Sequence, residues 1–96
     1  MAIKKFFHKG LNELFCTGKT ARIGAEYHRR LLPILDALDA ATCVEDLRGV
    51  RGFHAYAGER AGTLGVNVSA NWRVTFRFEH DDKGDVLDVD FEDPHR

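Results

Sequence analysis

Apolar residues recur along this chain with two different periods, and the change between them divides it into a helical half and a stranded half. Leu11, Leu14 and Phe15 fall at helical spacing and are followed by Thr17-Gly18-Lys19, with the glycine that helix C-termini favour. Tyr27, Leu31, Ile34, Leu35 and Leu38 then recur on one face of a longer predicted helix, while Arg29, Arg30, Asp36 and Asp39 point elsewhere. Pro33 sits inside that pattern, removes one backbone donor and predicts a kink near Arg29. Ahead of both helices, "AIKKFF" reads as a short first strand that stops at the His8-Lys9-Gly10 turn.

From Thr42 to Arg60 the chain reads as irregular, punctuated by Gly49, Gly52 and Gly58. Beyond it the period becomes two. Val66, Val68, Trp72, Val74, Phe76 and Phe78 share one parity and Asn67, Ser69, Arg73, Thr75 and Arg77 the other, as in strands with one buried face. "SANW" is the predicted hairpin turn, and Asp81-Asp82-Lys83-Gly84-Asp85 the next connection. In the last predicted strand Leu87, Val89 and Phe91 alternate with Asp88, Asp90 and Glu92. Helices followed by an antiparallel meander predict an α+β fold, two N-terminal helices packed on an antiparallel β-sheet.

Ninety-six residues suit one domain spanning 1–96. No apolar run approaches the roughly 20 residues a membrane helix needs, and the start reads as mature, cytoplasmic sequence, because His8, Lys9 and Gly10 interrupt the apolar stretch a leader requires. Cys16 and Cys43 lack metal-ligand spacing and read as free thiols. The net charge of -1 conceals an asymmetry. Residues 1–78 hold 12 Lys/Arg against 7 Asp/Glu, whereas residues 79–93 hold 1 Lys against 8 acids. Such segregation points to one polyanion-facing surface and one acidic patch, the latter either a solvated hairpin or a surface for a protein partner.

No phosphate-binding loop, dinucleotide fingerprint or zinc motif is present, and the acids near the end lack calcium-loop spacing, so neither metal nor cofactor is expected. What remains is a dispersed polar set: His54, Arg60, Arg73, Arg77, Asp93 and His95. Two histidines and an arginine suit in-line cleavage of RNA by its own 2′-hydroxyl, because the substrate brings the nucleophile and the protein need only move protons and neutralise charge. The plainer reading makes His54 a hydrogen-bonded structural residue and pairs Arg73 and Arg77 with Asp88 or Asp90 across the sheet.

These pieces stand in a familiar order. "FFHKGLNELFCTGKT", "RLLPILDALDAAT", "FHAYAGERAG", "VNVSANWRVTFRFE" and "DVLDVDFEDPH" together resemble the HigB toxins of bacterial toxin-antitoxin modules, a branch of the RelE superfamily of messenger-RNA endonucleases. The resemblance implies a RelE-like microbial RNase fold and a metal-independent ribonuclease that cleaves mRNA in the ribosomal A site. It also implies neutralisation by a HigA-like helix-turn-helix antitoxin. Carried over by position, its catalytic residues fall on His54, Arg73, Asp93 and His95; Arg60, Arg77, Lys4 and Lys9, from the basic part of the chain, are the expected RNA contacts. Which histidine is acid and which is base stays open. Ala57 stands where the family often has lysine, and Pro94 where it commonly has tyrosine. The alternative is therefore a toxin-fold protein that binds antitoxin and RNA or ribosome without cutting.

Overall fold

The structure, a computed structural model, describes residues 3–93. Two helices, α1 (Lys9–Thr17) and α2 (Ala25–Ala40), precede four strands: β1 (Phe53–Ala55), β2 (Leu64–Asn67), β3 (Arg73–His80) and β4 (Lys83–Glu92). The strands form one antiparallel sheet in the order β1-β2-β3-β4. Both helices cover one face of it, and among the described residues no helix covers the other.

Each helix follows its apolar stripe. α1 buries Leu11 and Leu14 and ends at Gly18, whose φ of 84° lets its N–H close on the Leu14 carbonyl at 2.8 Å. Its start depends on His8, whose Nδ1 accepts from the Gly10 N–H at 2.9 Å. α2 buries Leu31, Leu35 and Leu38 completely, each worth roughly 1.5–3 kcal/mol in apolar area removed from water. It runs unbroken through Pro33, which lies on its exposed side, where the Arg29 carbonyl, deprived of the residue-33 donor, can meet water.

Beneath the helices, Val66, Val74, Phe76, Phe78, Val86, Val89 and Phe91 form the buried face of the sheet, as the alternation predicts for β2 and β3. "SANW" is the turn between them, with the Val68 and Ser69 N–H groups both donating to the Trp72 carbonyl. In β4 the predicted alternation fails at one point. Asp88 adopts φ 57° within a bulge between the Thr75↔Asp90 and Arg77↔Leu87 pairs. The extra residue shifts the phase, so Val86 rather than Leu87 joins Val89 and Phe91 in the core. Asp is among the few non-glycine residues that tolerate this conformation.

Three other expectations change. The "AIKKFF" segment makes isolated parallel bridges, Ile3 to Val86 and Phe6 to Val89, rather than a continuous strand. The 42–60 stretch is not wholly irregular: it holds 3₁₀ turns at Val44–Leu47 and Gly58–Arg60, and β1 between them. The β3–β4 connection is shorter than the predicted five residues, because Lys83 already lies in β4.

The end of β4 is fixed from below by aromatic rings. Phe91 stacks on Trp72 with centroids 4.6 Å apart and meets Tyr27 of α2 edge-on at 5.6 Å. That anchorage determines where Glu92, on the opposite face, is presented.

Candidate active site on the open face of the sheet

The register brings two of the predicted residues, His54 and Arg73, to one end of the open face. β1 pairs with β2 so that His54 lies opposite Gly65, and β2 pairs with β3 so that Gly65 lies opposite Thr75. In the neighbouring row Asn67, Arg73 and Glu92 stand side by side. His54 and Arg73, 19 residues apart in sequence, therefore meet, with Arg73 Nη1 3.5 Å from His54 Nε2.

The partners of the His54 ring fix its tautomer. Nδ1 lies 3.1 Å from the Gly52 carbonyl oxygen, which can only accept, while the guanidinium beside Nε2 can only donate. The neutral ring thus carries its proton on Nδ1 and turns the Nε2 lone pair toward Arg73. Gly65 makes this position possible: a Cβ there would lie 2.9 Å from His54 Nε2 and 3.0 Å from Cε1. Tyr56, two residues along, lies against the same ring at 5.1 Å between centroids and 18° between planes.

Arg73 is half-buried, and its Nε is a buried donor with no hydrogen-bond partner among the described residues. Such a group costs about 1–3 kcal/mol if left unsatisfied, and because Nε itself is buried, an anion from solvent would meet the fork at its Nη groups. An anion placed there would also lie beside the basic nitrogen of His54.

Glu92, at the end of β4, was not singled out from the sequence, yet it joins three elements. It receives both terminal nitrogens of Arg60, at 3.1 and 2.9 Å, and the hydroxyl of Thr75, which is 2% exposed. Burial pushes the Glu92 carboxyl up. The hydrogen bonds from Arg60 and Thr75 and the charges of Arg60 and Arg73 outweigh burial and hold it below the usual carboxylate range. The Glu92 hydrogen bond in turn raises the Arg60 guanidinium. Arg60 also lies over the Tyr56 ring at 4.6 Å.

The remaining expected RNA contacts are placed differently. Arg77, four residues along β3 from Arg73, is held by Asp88 at 2.6 Å. That is the cross-sheet pairing allowed for by the plainer reading. Lys4 pairs with Glu79 at 3.2 Å, six residues and roughly 20 Å along β3 from Arg73. Lys9 is exposed in the first turn of α1. Ala57 is exposed beside the Gly58–Arg60 turn; of the nearby cations, Arg60 gives both terminal nitrogens to Glu92 and Arg77 gives Nε to Asp88. Asp93 is half-buried just beyond β4 and is engaged in contacts. His95 and Pro94 lie outside the described residues.

A cleft of about 280 Å³ opens on the same face between Phe7, Thr75, Arg77 and Asp90. A larger groove of about 770 Å³ runs along α2, past Arg29, Arg30 and Arg51, and touches the site only at Gly52 and Asn67. Among the described residues no three His, Cys, Asp or Glu side chains gather closely enough to hold a metal ion. No helix among them is long and apolar enough to cross a membrane.

Two helices followed by a four-stranded antiparallel sheet form an α+β arrangement consistent with a RelE-like toxin fold. Comparison with known proteins narrows the class. A family model described as the RelE-like toxin of type II toxin-antitoxin system HigB matches residues 4–95. The chain is also 39% identical over 94 residues to Endoribonuclease HigB of Proteus vulgaris, an alignment covering 97% of this chain and 99% of that protein. The chain belongs to the HigB-like toxin family.

Proposed function

We propose that this protein is the toxin of a type II toxin-antitoxin module and an endoribonuclease that cuts mRNA in the ribosomal A site. The observation that carries the reading is the His54–Arg73 pair: Nε2 of the histidine 3.5 Å from a guanidinium that still has an unsatisfied buried donor. The family match and the activity printed in the relative's name support the toxin and endoribonuclease parts of this reading.

In this reading His54 Nε2 accepts the proton of the substrate's 2′-hydroxyl as that oxygen attacks the adjacent phosphorus. The Nη groups of Arg73 bind the non-bridging oxygens and stabilise the charge that builds there. The bond to the 5′-oxygen breaks, leaving a 2′,3′-cyclic phosphate. The departing oxygen receives a proton from His95, with Asp93 orienting that ring. This assigns the base to His54, because its Nδ1 proton is committed to Gly52, and the acid to His95. The substrate supplies its own nucleophile, so these side chains suffice without a metal. Neutralisation by a HigA-like antitoxin and action in the cytoplasm complete the proposal.

Primer extension on a defined mRNA, free and programmed into bacterial ribosomes, tests it. New stops at A-site codons are expected only with ribosomes, and they should fall by roughly 10²- to 10⁴-fold in His95→Ala. Cutting of free RNA at equal rate would remove the ribosome dependence. An unchanged rate in His95→Ala would remove that residue from the mechanism. Ribosome binding without any stops would mean that Ala57 and Pro94 mark a toxin fold that no longer cuts.

A further inference from the structure

Arg60 and Arg73 compete for one carboxylate. Glu92 stands directly opposite Arg73 in the β3–β4 register, and the charge of Arg73 acts on it. Two oppositely charged side chains opposite each other on antiparallel strands ordinarily pair. Here they do not. Both oxygens of Glu92 are taken by the fork of Arg60, reaching in from the Gly58–Arg60 turn, and Oε2 also accepts from Thr75. Arg73 keeps an unpartnered Nε and turns Nη1 to His54.

We propose that Arg60 is a positioning residue which acts on Arg73 through Glu92: by occupying the carboxylate opposite Arg73, it leaves that guanidinium free to receive a phosphate. The inference rests on the functional reading above for its consequence in RNA cleavage, but the placement of both guanidiniums around Glu92 belongs to the geometry. It also gives Arg60 a role other than contacting RNA. A planar fork engaged at two points by a carboxylate has little left to offer a substrate. The contact of Arg60 with Tyr56, which stacks on His54, fixes the turn that carries the fork.

Removing Arg60 alone frees Glu92 to capture Arg73. Removing the carboxylate as well takes away the trap. A double-mutant cycle therefore separates this account from a direct role in binding. Arg60→Met, Glu92→Gln, the double variant and Arg60→Lys would be compared by single-turnover kcat/KM on programmed ribosomes. Side-chain Nε–H NMR of Arg73 during titration with inorganic phosphate supplies a second readout.

Arg60→Met should lose roughly 10-fold in kcat/KM, within the coupling shown by residues sharing a charged network, and its Arg73 signal should respond less to phosphate. Glu92→Gln sets the reference for both responses, and the double variant should recover to within about twofold of it. Arg60→Lys, which returns a cation to Glu92, should fall between Arg60→Met and the wild type. A double variant as impaired as Arg60→Met, or an Arg60→Met indistinguishable from wild type, overturns the proposal. Should the wild type not cleave at all, the functional reading fails, while the phosphate response of Arg73 across the four variants still decides the competition.

Discussion

Gly65→Ala is the smallest change that reaches the candidate site without altering any polar side chain in it. The added methyl would lie 2.9 Å from His54 Nε2, 3.0 Å from His54 Cε1 and 3.3 Å from Tyr56 Cε1. Ordinary carbon contacts are about 3.5–4.0 Å, so the imidazole has to move by about 0.5–1 Å. It cannot do so freely, because Nδ1 is tied to the Gly52 carbonyl and Tyr56 lies against the ring. Gly65 does not have a positive φ, so alanine fits the backbone. It should stabilise the chain by about 0.4–1 kcal/mol through the unfolded state, against an overpacking cost of about 1–3 kcal/mol. The net change in stability is then about 0–2.6 kcal/mol, small enough for the protein to remain folded.

Activity should respond far more. Displacing a catalytic base by about 1 Å costs on the order of 10²-fold. Thermal unfolding and single-turnover cleavage of ribosome-bound mRNA, measured together, give the comparison. Combined with His54→Ala, the Gly65 change should add almost nothing, since the group it displaces is gone. Wild-type cleavage by Gly65→Ala, or full additivity with His54→Ala, would refute the placement of His54 as the base.

Three further outcomes follow from the same structure. Glu92 titrates below its ordinary range in the fold, so its stabilising contribution is complete above the unfolded Glu pKa of about 4.3 and is lost as pH falls through the lower folded value. Because Arg60 is exposed enough for solvent to screen the pair, urea unfolding should show the wild type ahead of Glu92→Gln by no more than about 1 kcal/mol near pH 6, a lead that shrinks on acidification. His8→Ala removes the acceptor at the start of α1 and should cost about 1 kcal/mol by denaturant titration. Leu35→Ala empties a fully buried site between α2 and the sheet and should cost about 2–5 kcal/mol in the same assay.

The elements legible in the sequence were those long enough to show a period. The leucines of α2 mark its buried face over 16 residues, and the alternation from Val66 to Phe78 marks β2, β3 and the turn between them. β1 escaped because three residues carry no period, and its place is set by pairing with β2 rather than by its own composition. The bulge at Asp88 was hidden for the opposite reason: a clean run of alternating residues implies a register that one residue in the left-handed region shifts. His54 and Arg73 were identifiable by chemistry, whereas their contact depends on β1 and β3 flanking β2.

Glu92 looked like one acid among eight in residues 79–93. Its parity, shared with Asp90 and opposite to Phe91, did place it on the polar face. What the sequence did not carry was the 32-residue reach of Arg60 that distinguishes it from its neighbours. Tyr56 left a weaker signal: in "HAY" it sits two residues from His54, on the same side of an extended chain.

The central claim is that the His54–Arg73 site cuts RNA using the substrate's own hydroxyl. Its most direct test is single-turnover cleavage of ribosome-bound mRNA carrying one 2′-deoxynucleotide at the cut position, beside the all-ribose message. The account predicts that the ribose message is cut to a 2′,3′-cyclic phosphate end and that the single deoxy substitution leaves the other intact. Equal cleavage of both messages would contradict it, and so would an all-ribose message that survives.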